Sequence, residues 1–215
     1  MRALTRAGAW LTFAALAVGT ALLGAAMRLY PGGSVAAPAR QGHSFWLNYL
    51  CDLTSDTAVN GASNAGGATL ARAGMLTLSV TLGLVWLILP RLLAGGRWSR
   101  AVVRWGGALC ALGLIAVPSA NGALHAPVIL ATVVPGVSAM GTTLVGFARA
   151  GRRGLLGLAL AVLAVSVVGA AVYAAKVAGW LPATAPVVPA SQRLAALLLV
   201  TWMAAVAAAV LRAEA

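Results

Sequence analysis

Residues 154–175 read GLLGLALAVLAVSVVGAAVYAA, 22 positions without a charged side chain. A helix needs about 20 mainly apolar residues to cross the hydrocarbon core of a bilayer, so this stretch predicts a membrane span. Comparable runs lie on either side of it, near 9–27, 73–89, 101–120, 126–147 and 194–211. Six spans result. They are rich in Ala, Gly and Val, and lipid supplies no hydrophobic force between helices, so close packing of small side chains has to hold them together. The expected fold class is all-α: an integral membrane bundle of six transmembrane helices forming one domain over residues 1–215, with an outer polar loop at about 28–72. The opening MRALTRAGAWLTFAALAVGTALLGAAM also has the basic start, apolar core and small-residue end of a signal peptide. Its cleavage would remove the first span without reversing the rest.

The composition agrees with a membrane protein. Hydrophobic residues make up 61% of the chain and charged residues 8%, with a mean hydropathy of +0.95, against about a quarter charged in a soluble domain. A net charge of +12 would ordinarily point to nucleic acid. Here the basic residues fall in short groups between apolar runs, with no basic stripe interleaved with aromatics, which excludes that partner. Cys51 and Cys110 form no CxxC pair and read as small buried hydrophobes. Cytoplasmic flanks are enriched in Lys and Arg. Arg2, Arg6, Arg91, Arg97, Arg100, Arg104, Arg149, Arg152, Arg153 and Arg212 collect on one side, and Arg28, Arg40, Arg72, Lys176 and Arg193 on the other, ten against five. Both termini are therefore expected in the cytoplasm, and the protein in the bacterial cytoplasmic (inner) membrane. Its expected partners are membrane lipid and, across the apolar helix faces, a second copy or another membrane protein.

Polar side chains concentrate in the outer loop, at NYLCDLTSDTAVNGASN, residues 48–64. The lead-in YPGGSVAAPARQG (30–42) is dense in turn residues. HSFWLNYLCDLTSDTAV (43–59) then predicts a short helix with Phe45, Trp46, Tyr49 and Leu53 on its apolar face, ended by Asn60-Gly61 and NAGG. Asn48, Asp52, Asp56, Asn60 and Asn64 stand four positions apart. On a helix of 3.6 residues per turn, each such step drifts about 40°, so they would line a slanting stripe on one side. Asp52 and Asp56 are the only carboxylate side chains apart from Glu214, and His43 and His125 are the only histidines. His125 opens the fourth span on the same outer side, next to the turn holding Asn121.

These residues support several chemistries. His43, Asp52, Asp56 and His125 are suitable ligands for zinc or another divalent metal, and an open position on that metal would activate water. Asp52, Asp56 and His125 are then the candidate catalytic groups. The spacing contains no HExxH and no calcium-loop pattern. A b-type haem between His43 and His125 would need both histidines on helices, and Cys51 as a nucleophile lacks an evident base. A structural reading has Asp52 and Asp56 capping helix ends or pairing with Arg40 and Arg72. In a recognition reading, Asn48, Asp52, Asp56, Asn60, Asn64, Asn121 and His125 line an outer cup that holds a lipid headgroup or small polar ligand, or orders an assembly, with no cofactor required. A transporter reading rests on Pro127, Pro135, Gly136 and Gly141, which would kink or break the fourth span. Ser138, Thr142 and Thr143 are expected to bond to helix carbonyls. Trp46, Lys176 and Trp180 are expected as outer interfacial anchors, with Trp98 and Trp105 in the inner belt.

The segment NYLCDLTSDTAVNGASNAGGATLARAGM (48–75) resembles an uncharacterised, domain-of-unknown-function type of family of six-span bacterial integral membrane proteins. In that family an Asn-x-x-Ser-Asp-Leu-like motif sits in the first outer loop; Asn48, Asp52 and Leu53 match it, and Cys51 stands at its serine. More distantly the chain looks like the Frag/DRAM/Sfk type of multispan protein. The resemblance implies a helical membrane bundle with an outward polar loop and no established reaction. A ceramidase-like lipid hydrolase is a further neighbour, in which a Ser, an Asp and several His surround zinc near helix ends. Asp52, Asp56 and His125 are the counterparts here, without the paired histidines that such enzymes carry on a late helix. The expectation carried forward is a non-enzymatic membrane protein with an outward polar cup, with a metal-dependent lipid hydrolase and a small-solute transporter as alternatives.

Overall fold

The computed structural model describes residues 2–116 and 125–213. In chain order its elements are helix α1 (Arg2–Leu29), strands β1 (Gly32–Ser34) and β2 (Ala37–Gln41), and helices α2 (Leu50–Thr54), α3 (Ala65–Ile88), α4 (Arg97–Ala101), α5 (Gly107–Ala116), α6 (His125–Arg149), α7 (Arg153–Val177) and α8 (Val187–Ala213). Among the described residues, six helical stretches are long and apolar enough to cross a membrane: Ala3–Leu29, Ala65–Leu92, Arg97–Ala116, Ala131–Arg149, Arg153–Val177 and Val187–Ala213. This is the helical, multi-pass membrane protein that the apolar runs predict.

Local chemistry shapes these spans. A 3-10 turn, Leu89–Leu92, closes α3 where Pro90 removes a backbone donor. The third span joins α4 to α5 through a π-helical turn at Val102–Gly106. Pro135 lies inside α6, which stays helical on both sides of it. Ser138, Thr142 and Thr143 donate to the carbonyls of Val134, Ser138 and Ala139 at 2.8–2.9 Å, as expected. Between α6 and α7, Gly151 takes a φ of 66°, a left-handed position that glycine occupies without strain.

The backbone divides into two compact units. One comprises Met1–Gly19, Met75–Leu160 and Val200–Ala215. Its core contains Trp86 and Trp202, with ring centroids 5.3 Å apart and planes tilted by 54°. Glycines let neighbours approach closely here: a Cβ on Gly107 would run into the Trp86 indole, one on Gly113 into Thr132, and one on Gly136 would lie 2.8 Å from Cys110 Sγ. All ten arginines assigned to one side of the membrane by charge counting belong to this unit.

The second unit comprises Thr20–Gly74 and Ala161–Leu199 and holds the other five basic residues. Ala26, Tyr30, Leu53, Ala58 and Ala71 form its apolar core, flanked by Leu23, Met27 and Leu70. The lead-in is more ordered than its turn-rich composition implies. β1 and β2 pair antiparallel, with Gly32 opposite Gln41 and Ser34 opposite Ala37. Gly33 has a φ of 83°, and a Cβ there would meet the backbone of Asn60, so the ribbon can lie against residues 59–60 only with glycine at this position. The all-α class holds, and this short ribbon is an addition to it not expected from the sequence.

The helix expected over 43–59 is confined to Leu50–Thr54. Upstream, the Asn48 side chain accepts the Ser44 N–H and the Asn48 N–H reaches the Ser44 carbonyl. This local side-chain bond competes with helix formation. Downstream, Ser55 is extended, and Thr57 and Ser63 form a β-bridge around the Asn60-Gly61 turn. The five polar residues therefore do not form one stripe. Cys51 is exposed and Cys110 half-buried, so the reading of both as buried hydrophobes is corrected for Cys51.

Candidate functional site

Asn48 is fully buried and uses its whole amide. Oδ1 accepts from Ser44 N at 2.8 Å, and Nδ2 donates to Gly33 O at 2.7 Å and to Asp52 Oδ2 at 3.0 Å. It thereby ties the β-ribbon to the start of α2. Asp52 sits in the first turn of α2, and its Oδ2 also accepts the Tyr49 N–H at 2.9 Å, which satisfies a donor left open at the helix start. The N–H of Leu50 is satisfied from far along the chain, by Gln192 Oε1 at 2.8 Å.

Arg193, two turns inside α8, is only 2% exposed. Its Nη2 lies 3.0 Å from His43 Nε2, 3.2 Å from Asn48 O and 3.4 Å from Tyr49 O. The guanidinium also stands 5.3 Å from the Phe45 ring centre, a cation–π contact. Guanidinium only donates, so His43 Nε2 must be the acceptor and the imidazole neutral, with its proton on Nδ1. Burial, then the Arg193 charge, lower the His43 pKa to about 4. The edge of Tyr30 completes the wall, at right angles to His43 with centroids 5.8 Å apart, and its hydroxyl accepts the Val59 N–H at 3.1 Å.

Lys176, at the end of α7, donates to the Tyr49 hydroxyl at 2.7 Å. Asp52 is half-buried, and burial raises its pKa. The bonds from Asn48 and Tyr49 act against that rise, as do the charges of Arg193 and Lys176. No carboxylate–cation pair within 4 Å forms at Asp52 among the described residues. The ion pair found there is Asp56 with Arg72, 3.0 Å apart and well exposed.

The expected site residues thus separate. Asn48, Asp52 and His43 belong to one polar cluster. Asp56 is turned to Arg72, and Asn60 turns its Oδ1 to the Ala62 N–H at 3.1 Å. Asn64 is buried before α3, donating to Leu53 O and Ser55 O, with Oδ1 against Gly67, where a Cβ would collide. Asn121 and the side chain of His125 lie outside the described residues. Among the described residues no three His, Cys, Asp or Glu side chains assemble where a metal ion could be held. The structural reading of the carboxylates holds for Asp56, which pairs with Arg72, and for Asp52, which caps α2.

Charge counting placed Arg193 and Lys176 on the outer side but gave neither a place in the cluster, and Gln192 went unnoticed. By sequence, Arg193 is a charge flanking the run at 194–211; the helix instead begins at Val187, so Arg193 lies inside it and has to find partners. Chemically, the cluster is a half-buried carboxylate with one oxygen engaged, a lysine held beside it on a phenol, and a buried guanidinium fixing the wall behind. Searches against family models, curated proteins and solved structures find no match for this chain.

Proposed function

We propose that this is a bacterial inner-membrane protein, with both termini cytoplasmic, whose outer cap binds the headgroup of a membrane lipid and performs no reaction. The observation that carries this reading is Asp52: half-buried, with Oδ2 committed to Asn48 and Tyr49 and no ion pair among the described residues. A carboxylate taken partly out of water is costly unless a donor meets it. The ammonium of a phosphatidylethanolamine headgroup is such a donor, and Lys176 suits its phosphate. Lys176 ends a spanning helix, at the depth where headgroups lie. Membership of the six-span family resembled through Asn48, Asp52 and Leu53 is part of this proposal.

The hydrolase reading has less support, because His43 Nε2 is engaged by Arg193 and Asp56 by Arg72. The transporter reading has less support as well, because α6 runs through Pro135 without a break. The test is native mass spectrometry of the detergent-solubilised full chain with phosphatidylethanolamine and with phosphatidylcholine, whose quaternary amine has no N–H to donate. Preferential retention of the ethanolamine lipid, weakened about tenfold by Asp52→Asn, is expected, since a hydrogen bond to a charged group is worth about one such factor. Equal retention of both lipids, or an Asp52→Asn variant indistinguishable from wild type, would leave the cap a structural or assembly element and overturn the reading.

A further inference from the structure

The other unit holds a groove of its own. The start of α7 and the last turns of α8 enclose a groove of about 510 Å³, within the size range of small-molecule sites. Arg152, Arg153 and Arg212 stand around it, and Leu155, Leu158 and Ala205 give it an apolar floor. Three features build it. Gly151, with its positive φ, turns the chain so that Arg152 and Arg153 fall together at the head of the 25-residue α7. Arg152 is held in place by a bond from Nε to Leu92 O at 3.0 Å. Gly154 carries no side chain and nothing stands over it, so the first-turn backbone of α7, the positive end of the helix dipole, opens on the groove. The third carboxylate of the chain, Glu214, follows Ala213 directly and lies outside the described residues.

We propose that this groove binds the phosphate headgroup of an anionic phospholipid, with the upper part of an acyl chain on the Leu155, Leu158 and Ala205 floor. Charge complementarity selects an anion, since three arginines converge there. The apolar floor on two membrane-spanning helices selects a lipid over a soluble phosphate. Basic pockets between spanning helices recognise lipid headgroups in this way.

The test uses the full-length protein in detergent and native mass spectrometry with three probes: phosphatidylglycerol, phosphatidylcholine and the water-soluble headgroup glycerol phosphate. Arg153 and Arg212 are both exposed, so Arg153→Gln/Arg212→Gln removes two charges without opening the fold, and thermal unfolding of the variant checks this. The expected result is retention of phosphatidylglycerol over phosphatidylcholine, reduced about tenfold or more in the double variant and recovered in Arg153→Lys/Arg212→Lys. Asp52→Asn should leave this retention unchanged, which separates the groove from the outer cap. Equal retention of the two lipids would overturn the proposal. So would a double variant that binds as wild type does, or glycerol phosphate binding as tightly as the lipid.

Discussion

Arg193 and His43, 150 positions apart in the chain, meet at 3.0 Å with the guanidinium as donor and the imidazole as acceptor. The contact joins a spanning helix to the loop before α2, and it works only while His43 is neutral. Protonated imidazole has no acceptor, and it would place a second positive charge against a buried arginine.

The cap formed by residues 30–64 is therefore expected to loosen in acid. A histidine in the unfolded chain titrates near 6.5, whereas His43 in the fold titrates at about 4. Between these values the unfolded chain binds more protons, so this contribution is fully present above pH 6.5 and is lost as pH falls toward 4. Discounted for the partial exposure of His43, it is about 1–2 kcal/mol. Asp52 acts in the opposite sense, since its raised pKa means that protonation relieves a buried charge as pH falls. Chemical denaturation of the solubilised protein between pH 7 and pH 4.5 should show a steeper loss for wild type than for His43→Gln, whose amide oxygen still accepts from Arg193. Parallel profiles for the two proteins would remove His43 from the account.

Substitutions at Arg193 should rank by geometry as well as by charge. Arg193→Met removes the donor to His43 Nε2, Asn48 O and Tyr49 O. Each unsatisfied acceptor costs about 1–3 kcal/mol, partly offset by no longer burying a charge. The expected net loss is about 2–4 kcal/mol. Arg193→Lys keeps the charge but lacks the planar fork, and should lose about 1–2 kcal/mol. Denaturant midpoints check the order. A methionine variant as stable as wild type would make the buried guanidinium dispensable.

Two polar residues of the same loop should behave differently. Asn48→Ala strands the Ser44 N–H and the Gly33 carbonyl and removes a donor from Asp52; the expected loss is about 2–3 kcal/mol, with faster amide exchange across β1, β2 and α2. Asp56→Asn breaks only the exposed pair with Arg72, and should cost no more than about 1 kcal/mol. Comparable losses in the two variants would contradict the burial assigned to Asn48.

The contrast between these residues marks what can be read from the chain. Six spans are legible because length and apolarity are local properties, and the arginine groups are legible because they flank those spans. The four-residue spacing of Asn48, Asp52, Asp56, Asn60 and Asn64 has meaning only if one helix carries them. The Asn48 amide ends that helix before it starts, by taking the Ser44 N–H. GGSVAAPARQ has neither the alternation nor the aromatics of a strand. Its pairing depends on left-handed backbone at Gly33 and on the approach of Asn60, a contact 27 positions away. Gln192 and Arg193 enter the site from α8, and no local pattern names their partners.

In the unit that contains Trp86 and Trp202, Gly107 gives a test of packing separate from the cap. Trp86 is 3% exposed and Trp202 fully buried, with ring centres 5.3 Å apart. A Cβ on Gly107 would meet the Trp86 indole, which packs against the Trp202 ring. Alanine is the better helix former by about 1 kcal/mol, whereas overpacking a core costs about 1–3 kcal/mol, so Gly107→Ala should lose about 1–2 kcal/mol and shift the tryptophan fluorescence. Gly141, in α6, faces open space, and Gly141→Ala should cost nothing, because only the propensity gain applies. Denaturation and fluorescence of the two variants side by side decide the matter: equal stability with an unchanged spectrum would mean that Gly107 and Trp86 are not in contact.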